Sequence, residues 1–214
     1  MADYKVIVPL ILKWEGGLSR ATTDTASRNP SPCSFNGQTG WHTNKGVTWA
    51  TFTSLASRLG YQATCTNFQR MPDDIWGKIF KVGFWDAVGG DQIKSQAIAN
   101  VAGDFAWGAG PFRAVQRLQM AVNNVSSNKI TVDGKIGPRT IAAVNSADQN
   151  RLFTEYARLK DEFYKGLPGQ EANQRGWANR HKDLVEFSKK YLLPGAGLIG
   201  LAAIFFLIYR FYRK

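Results

Sequence analysis

The stretch from residue 91 to residue 110 constrains the fold more than any other part of the sequence. Ile93, Ala97, Val101 and Phe105 recur every four residues, and many of the residues between them are small. This pattern predicts a helix that is buried on nearly all sides. Regular alternation of apolar and polar residues, which is typical of strands, is almost absent from the sequence. We therefore predict an all-α fold.

One charged residue, Asp104, falls inside this apolar helix. A buried carboxylate is costly unless it is paired, so the side chain must have partners in the fold. The pattern favours a structural aspartate that holds loop amides over a catalytic one.

A carboxylate followed by two glycines marks the end of the first predicted helix. Ile7, Leu10 and Trp14 lie on one helical face, and Gly16–Gly17 is the usual signal for a helix end. Glu15 is therefore expected in the last helical turn. The negative end of the helix dipole and partly dry surroundings favour the protonated form of such a group, which suits a general acid. The spacing by itself favours a solvated residue at a helix end.

The charge of the chain indicates an acidic partner. The 214 residues carry a formal net charge of +11, which suits a nucleic acid, an anionic lipid or an anionic polymer such as a bacterial cell wall. The basic residues are scattered, apart from those at the C-terminus, and no nucleic-acid-binding motif accompanies them. We therefore expect no nucleic-acid partner.

The cysteine and histidine residues are few. Cys33 and Cys65 both fall in loop-like stretches, so they form either one disulfide or two free thiols. The only histidines, His42 and His181, do not lie in a ligand-spaced motif, which disfavours a zinc site built from them and a carboxylate. We expect neither a metal site nor a cofactor.

Residues 18–47 are rich in Ser, Thr, Asn, Gly and Pro, which predicts a long loop. Loops of this length in compact domains are usually functional. Asp24 is the only acidic residue in it, and Thr43–Thr48 closes it. Later helices are predicted at about 48–59, 72–86, 91–107, 112–122, 138–144, 152–164 and 176–190.

The C-terminal tail changes composition abruptly. No charged residue occurs from Tyr191 to Tyr209, and basic residues flank this run on both sides. At ~1.5 Å per residue the run is long enough to cross a hydrocarbon core of ~30 Å. We therefore predict a transmembrane helix with a basic tip in residues 191–214. The alternative is a hydrophobic helix that docks on the domain.

Several short segments occur along the chain in a fixed order: Lys13–Gly17, Thr43–Thr48, Phe84–Asp86, Asp104–Ala106 with Gly110, Leu118–Gln119, Asp133–Gly134, Gly137–Pro138 with Thr140, and Gly176–Trp177 with Arg180. Their order and spacing resemble the N-acetylmuramidases of glycoside hydrolase family 108. The resemblance runs from about Val6 to about Arg180, and its second half is similar to that family's C-terminal peptidoglycan-binding region. The chain differs from the family pattern by a longer loop at 27–41 and by Gly108 where an Asn is frequent.

The resemblance implies a lysozyme-like helical fold that hydrolyses the β-1,4 bond between N-acetylmuramic acid and N-acetylglucosamine. It also implies that Glu15 is the catalytic acid. Such hydrolysis needs a second group that handles the oxocarbenium face, and Asp24 is the candidate. Further candidates for binding sugar or water are Thr43, Asn44, Trp85, Asp104 and Trp107.

These expectations give three regions: a muramidase region at 1–90, a peptidoglycan-binding helical region at 91–190 and the membrane anchor at 191–214. The expected partners are peptidoglycan glycan strands and a membrane, with action on the periplasmic side. The short apolar run Val6–Leu12 is followed by no cleavage site, so no signal peptide is expected. The alternatives are a non-catalytic peptidoglycan-binding protein and a membrane-permeabilising lysis protein.

Overall fold

The computed structural model describes residues 1–22 and 25–192, and within these ranges the chain is mostly helical. Short 3-10 turns and one π-helical turn, Lys81–Trp85, link the main elements. The nine α-helices and three strands of the described residues are α1 (Val8–Trp14), β1 (Leu18–Ser19), β2 (Thr43–Asn44), β3 (Val47–Thr48), α2 (Trp49–Ala56), α3 (Cys65–Gln69), α4 (Asp73–Phe80), α5 (Gln96–Ala109), α6 (Pro111–Val125), α7 (Pro138–Ser146), α8 (Gln149–Lys165) and α9 (Glu171–Lys189).

Helix α5 lies at the centre of the fold and packs against α6, α8 and α9. All ten residues from Ala97 to Ala106 are buried, which confirms the prediction of a helix covered on nearly all sides. The helix begins at Gln96 rather than Asp91, because Ser95 caps it by accepting a hydrogen bond from the N–H of Ile98. Small residues on α5 allow close contacts: a Cβ atom built on Gly108 would lie 2.3 Å from the hydroxyl of Tyr164 on α8.

A small antiparallel sheet interrupts the helical architecture. Strand β1 pairs with β2, and β2 pairs with β3 across the two-residue turn Lys45–Gly46, in which both residues have positive φ. This is the turn geometry that suits the twist of a tight hairpin. Each strand has only two residues, which is too short to produce a recognisable alternation in the sequence. The sheet closes the long loop and places Thr43 beside the end of α1.

The predicted transmembrane helix is corrected by the structure. Among residues 1–22 and 25–192, no helix is both long enough and apolar enough to cross a bilayer. The last of these helices, α9, carries charged residues along its whole length, including Arg180 and Asp183. The apolar run from residue 193 onward lies outside the described residues. The anchor, the membrane partner and the membrane location inferred from that run are therefore not supported.

The two cysteines form a disulfide, which decides between the two alternatives that the sequence left open. Cys33 lies in the long loop and Cys65 begins α3, with 5.3 Å between their Cα atoms and a sequence separation of 32. The bond joins the loop to the helical part of the fold. Near it, Gln69 donates a hydrogen bond to the carbonyl of Ser34.

Removing this disulfide is expected to destabilise the protein. In the variant Cys33→Ser/Cys65→Ser the free energy of unfolding should fall by about 2–4 kcal/mol, because the unfolded chain loses a cross-link that restricts it. For a chain of this size that corresponds to a decrease in Tm of roughly 4–16 °C. Thermal unfolding followed by circular dichroism measures it. A reductant should lower the Tm of the wild type and leave that of the variant unchanged; equal shifts in both would contradict the assignment.

Candidate active site

Glu15 lies immediately after α1, at the edge of an open cleft. Its backbone is extended, with φ −88° and ψ 138°, and its N–H donates to the carbonyl of Leu12 at 3.2 Å. The residue therefore caps the helix rather than belonging to its last turn. Its side chain is only 14% exposed, so the carboxylate is held by the protein more than by water.

The two oxygens of the Glu15 carboxylate have different surroundings. Oε1 accepts a hydrogen bond from the indole N–H of Trp107 at 2.7 Å and another from Nη1 of Arg180 at 2.7 Å. Among the described residues, no group donates to Oε2. One oxygen is therefore anchored by the fold, and the other is available to a bound molecule.

The free oxygen lies over Gly46, in the turn of the hairpin. A Cβ atom built on Gly46 would lie 2.4 Å from Oε2 of Glu15 and 2.8 Å from the Trp107 ring, so no side chain fits there. Gly46 also has a φ of +74°, a conformation that residues other than glycine rarely adopt. The glycine therefore leaves room for the carboxylate and for access to Oε2.

Trp107 is held rigidly behind the carboxylate. Its ring centroid lies 4.8 Å from those of both Trp76 and Phe84. Trp76 is fixed in turn by a hydrogen bond of 2.8 Å from its indole N–H to the carbonyl of Lys45. Because aromatic neighbours contact the ring and Glu15 takes its only donor, the orientation of the carboxylate is determined before substrate binds.

Arg180 connects Glu15 to a buried ionic network. Its Nε and Nη2 atoms donate to Oδ1 of Asp104 at 2.9 and 2.8 Å, while Nη1 binds Glu15. The other oxygen of Asp104, Oδ2, pairs with Nζ of Lys160 at 3.0 Å, and both of these side chains are only 3% exposed. Two carboxylates thus alternate with two cations, so the buried charges compensate one another.

The network keeps Asp104 ionised. Burial by itself would raise the pKa of Asp104, but the charges and hydrogen bonds of Lys160 and Arg180 outweigh burial and lower the pKa to about 2. Burial by itself would lower the pKa of Arg180, but the carboxylates of Asp104 and Glu15 outweigh burial and raise it. The guanidinium that contacts Glu15 is therefore a permanent positive charge in a fixed position.

Two depressions in the surface are lined by residues of this ionic network. The larger, of about 590 Å³, contains Glu15 and is open to solvent. The smaller, of about 290 Å³, is lined by Arg180 together with the two tryptophans Trp14 and Trp177. Indole faces suit the apolar faces of sugar rings. The larger depression is otherwise lined mainly by backbone and small polar residues: Gly16, Gly17, Ser19, Thr43, Gly46 and Thr48.

The predicted polar residues of the hairpin have different positions. Thr43 lines the cleft with Glu15, and its hydroxyl has no hydrogen-bond partner among the described residues. Asn44 is buried, and its amide donates to the carbonyls of Phe68 and Gln69 at 2.6 and 3.2 Å. The side chain of Asn44 therefore holds the hairpin against α3, while Thr43 faces the site.

Of the other predicted site residues, the structure places two near Glu15 and one away from it. Trp107 and Asp104 belong to the surroundings of Glu15, directly or through Arg180. Trp85 is fully buried, and its indole N–H donates to Asp91 at 2.7 Å, so the ring has no exposed face for a sugar. Asp24 lies outside the described residues and stays a prediction.

The sequence did not predict roles for the cations Arg180 and Lys160 or for Gly46. Arg180 and Gly46 occur in segments that resemble the family, but nothing in the pattern assigned them a role. Lys160 lies on the amphipathic helix α8, where a single lysine is an ordinary residue. The one available signal was Asp104, because a carboxylate in an apolar helix implies buried cations elsewhere in the chain.

The family Glycosyl hydrolase 108 matches residues 8–110, and the family Predicted Peptidoglycan domain matches residues 111–182. No curated protein matches the sequence significantly. The chain is similar to the structure of Brucella abortus SagA, with a TM-score of 0.68 and 24% identity over 90% of this chain and 97% of that chain. At this identity the likeness shows a shared fold.

The two family matches are consecutive and run together from residue 8 to residue 182. The first contains Glu15, Gly46, Asp104 and Trp107, and the second contains Arg180. The groups around the Glu15 carboxylate therefore come from both matched regions. Residues 8–110 therefore belong to glycoside hydrolase family 108 and residues 111–182 to the predicted peptidoglycan domain family, which makes the chain a glycoside hydrolase that degrades peptidoglycan.

Proposed function

We propose that the protein hydrolyses the β-1,4 bond between N-acetylmuramic acid and N-acetylglucosamine, with Glu15 as the general acid. The observation that carries this proposal is the unequal use of the carboxylate. Oε1 is anchored by Trp107 and Arg180, whereas Oε2 lies over Gly46 in the open cleft without a partner among the described residues. A proton on Oε2 can reach a glycosidic oxygen bound in the cleft.

The surroundings of Glu15 support the step in which the bond breaks. As the proton moves from Oε2 to the leaving oxygen, the C–O bond to the sugar breaks and negative charge develops on the carboxylate. Arg180 and Trp107 already donate to Oε1 at 2.7 Å, so this charge is stabilised without rearrangement. The leaving sugar departs as an alcohol, and its neighbour takes oxocarbenium character.

Water must then be directed to the oxocarbenium carbon. Thr43 lies in the same cleft as Glu15, and its hydroxyl is available to hold a water molecule or a sugar hydroxyl. We assign Thr43 this positioning role. A carboxylate for the opposite face of the sugar remains the predicted role of Asp24, for which the described residues provide no geometry.

The helices after residue 90 belong to the site in this proposal. Arg180 reaches Glu15 from α9, and Asp104 and Lys160 hold Arg180 from α5 and α8. The predicted peptidoglycan-binding region at 91–190 therefore contributes to the catalytic surroundings as well as to binding. The positive charge of the chain suits a polymer that carries lactyl and peptide carboxylates.

The nature of the products tests the bond assignment. The wild-type protein is incubated with purified peptidoglycan, and the soluble fragments are reduced with borohydride and analysed by mass spectrometry. Disaccharide-peptides with reduced muramic acid at their end are expected. Reduced glucosamine ends would assign cleavage to the other glycosidic bond, and released peptides without new reducing ends would exclude glycan hydrolysis.

Arg180 is expected to contribute to turnover through Glu15. The variant Arg180→Gln removes a charged hydrogen bond, which is typically worth about 1.5–3 kcal/mol. Release of reducing ends should therefore slow by roughly 10–150-fold. Added guanidinium should restore part of the rate of Arg180→Gly, which a purely structural defect would not allow. Full activity of Arg180→Gln would exclude the role.

Trp107 provides a matched test of the second hydrogen bond to Oε1 of Glu15, which is expected to contribute less than that of Arg180. The variant Trp107→Phe keeps an aromatic ring between Trp76 and Phe84 but removes the N–H that Glu15 accepts. This hydrogen bond has one charged partner instead of two, so it is expected at the low end of the range for charged hydrogen bonds, about 1.5 kcal/mol, and the rate should fall by about 10-fold. Initial rates on the same peptidoglycan preparation give the comparison. A larger loss than in Arg180→Gln would contradict the order of the two contributions.

A further inference from the structure

A second polar groove lies in the C-terminal region and shares no lining residue with the cleft at Glu15. It has a volume of about 550 Å³ and is open to solvent. We call it the basic groove. Gln119 of α6 forms its floor, and its walls are the connecting segment before α7 and the first turn of α7. The lining residues that determine its chemistry are Gln119, Lys129, Thr131, Asp133, Lys135 and Arg139.

The floor of the basic groove is rigid. Gln119 is buried, and its Oε1 accepts from the backbone N–H groups of Asp133 and Gly134 at 3.0 and 2.8 Å. Its Nε2 donates to Oδ1 of Asp133, to the carbonyl of Lys135 and to Thr140. Gln119 thus determines the conformation of the turn that forms one wall of the groove.

An exposed aromatic ring covers the same turn. Gly134 has a φ of +69°, and a Cβ atom there would lie 2.4 Å from the ring of Phe112. Phe112 itself is 57% exposed, so the outer face of its ring is open to solvent next to the groove. The side-chain amide of Gln119 holds this turn from the protein interior, and the ring of Phe112 covers its outer side. The surface of the turn is therefore formed before a ligand binds.

Two cations on the walls of the groove are not used by the fold. Neither Lys135 nor Arg139 forms an ion pair with any described residue, and both are exposed. Lys129, by contrast, donates to the carbonyls of Asn123 and Ser126. The carboxylate of Asp133 is occupied by Gln119 and by the N–H of Lys135, and these hydrogen bonds lower its pKa. The groove therefore offers positive charge to a bound anion.

Open backbone occurs at Thr131, which lines the groove, and at Val132 next to it. In the described residues, the N–H and C=O groups of Thr131 and Val132 have no hydrogen-bond partner. They follow Ile130, whose C=O accepts from the side-chain amide of Asn123 and whose N–H donates to it, both at 2.8 Å. An extended peptide can therefore pair with this segment, as an added strand pairs with a free edge.

On the basis of the hydrolysis proposed above, we propose that the basic groove binds the stem peptides of peptidoglycan. The open backbone at Thr131–Val132 pairs with the peptide main chain, and Lys135 and Arg139 bind its carboxylates. A glycan strand has no peptide main chain to pair with this backbone, and its only carboxylates are the lactyl groups on the sugars. The groove then holds the wall by its peptides, while the cleft at Glu15 acts on its sugars.

Binding to two forms of the same wall tests this assignment. Purified peptidoglycan is compared with glycan from which an amidase has removed the stem peptides, in sedimentation assays with the full-length chain. The test variant is Lys135→Glu/Arg139→Glu. The control variant, Lys5→Glu/Arg58→Glu, changes the net charge equally at exposed residues that line neither the groove nor the cleft. Equal Tm values for the two variants confirm that both are folded.

We expect the test variant to bind intact peptidoglycan at least about 10-fold more weakly than the wild type, and the control less than about 2-fold more weakly. Stripped glycan keeps its lactyl carboxylates, so the test and control variants, which have the same net charge, should bind it equally. An equal loss in the control, an equal loss on stripped glycan, or no loss at all would overturn the assignment.

A separate readout distinguishes the groove from the proposed hydrolysis. The wild type and the test variant should release reducing ends from stripped glycan at the same rate, because the groove does not contain Glu15. If the wild type releases none but its binding still depends on stem peptides, the proposed hydrolysis fails and the groove assignment stands. If both proteins cut stripped glycan and bind both walls alike, only the groove assignment fails.

Discussion

The variant Glu15→Gln is expected to lose about 10²–10⁴-fold in the rate of reducing-end release, because a general acid typically contributes a factor of this size. The amide keeps the shape of the side chain, and its oxygen can still accept from Trp107 and Arg180. It cannot deliver a proton from the position of Oε2. Turnover on purified peptidoglycan, followed by reducing-end assay and mass spectrometry, measures the effect.

A matched substitution separates this loss from a general effect of removing a carboxylate. Glu186 is exposed on α9 and has no ion pair among the described residues, so Glu186→Gln should retain the wild-type rate. Glu15→Gln should also still sediment with peptidoglycan, because the groups that line the cleft are unchanged. If Glu15→Gln turns over within about 3-fold of the wild type, Glu15 is not the acid.

The variant Asp104→Asn should be strongly destabilised. It removes the carboxylate that holds both Arg180 and Lys160, and it leaves the buried ammonium of Lys160 without a countercharge. Breaking one partner of a buried pair typically costs about 3–5 kcal/mol of unfolding free energy. For a chain of this size Tm should fall by roughly 6–20 °C. Urea and thermal unfolding measure the change.

Two further variants show whether the cost comes from the buried charge. Asp74→Asn breaks a surface pair with Lys78 and should change stability by less than about 1 kcal/mol. Asp104→Asn/Lys160→Met removes the unpaired ammonium as well, so it should be more stable than Asp104→Asn alone. The network has no special role in stability if Asp104→Asn costs as little as Asp74→Asn.

Acid should weaken the same network. The pKa of Asp104 is about 2 in the fold, against an ordinary value of 3.8, so the unfolded chain takes up a proton first as pH falls. The stability that Asp104 contributes is therefore complete above pH ~4 and is lost as pH falls through about 2. The stability difference between the wild type and Asp104→Asn should shrink over this interval in urea unfolding curves.

The sequence by itself predicted the elements that depend on neighbouring residues. The spacing of Ile93, Ala97, Val101 and Phe105 indicated the buried helix α5, because residues four apart lie on one helical face whatever the rest of the fold is. The glycines after Glu15 located the end of α1 to within one residue. The same local reasoning failed for the two-residue strands, which are too short to carry a period.

The tertiary structure decided which groups meet. Arg180 is 165 residues from Glu15 in sequence, and Asp104 is 76 residues from Arg180. No local pattern specifies such contacts, because they result from how α5, α8 and α9 pack around one another. Asp104 in an apolar helix implied that cations must lie nearby, but only packing determined that they are Arg180 and Lys160. The sequence therefore identified the carboxylate of the candidate site, and the fold determined the charges that surround it.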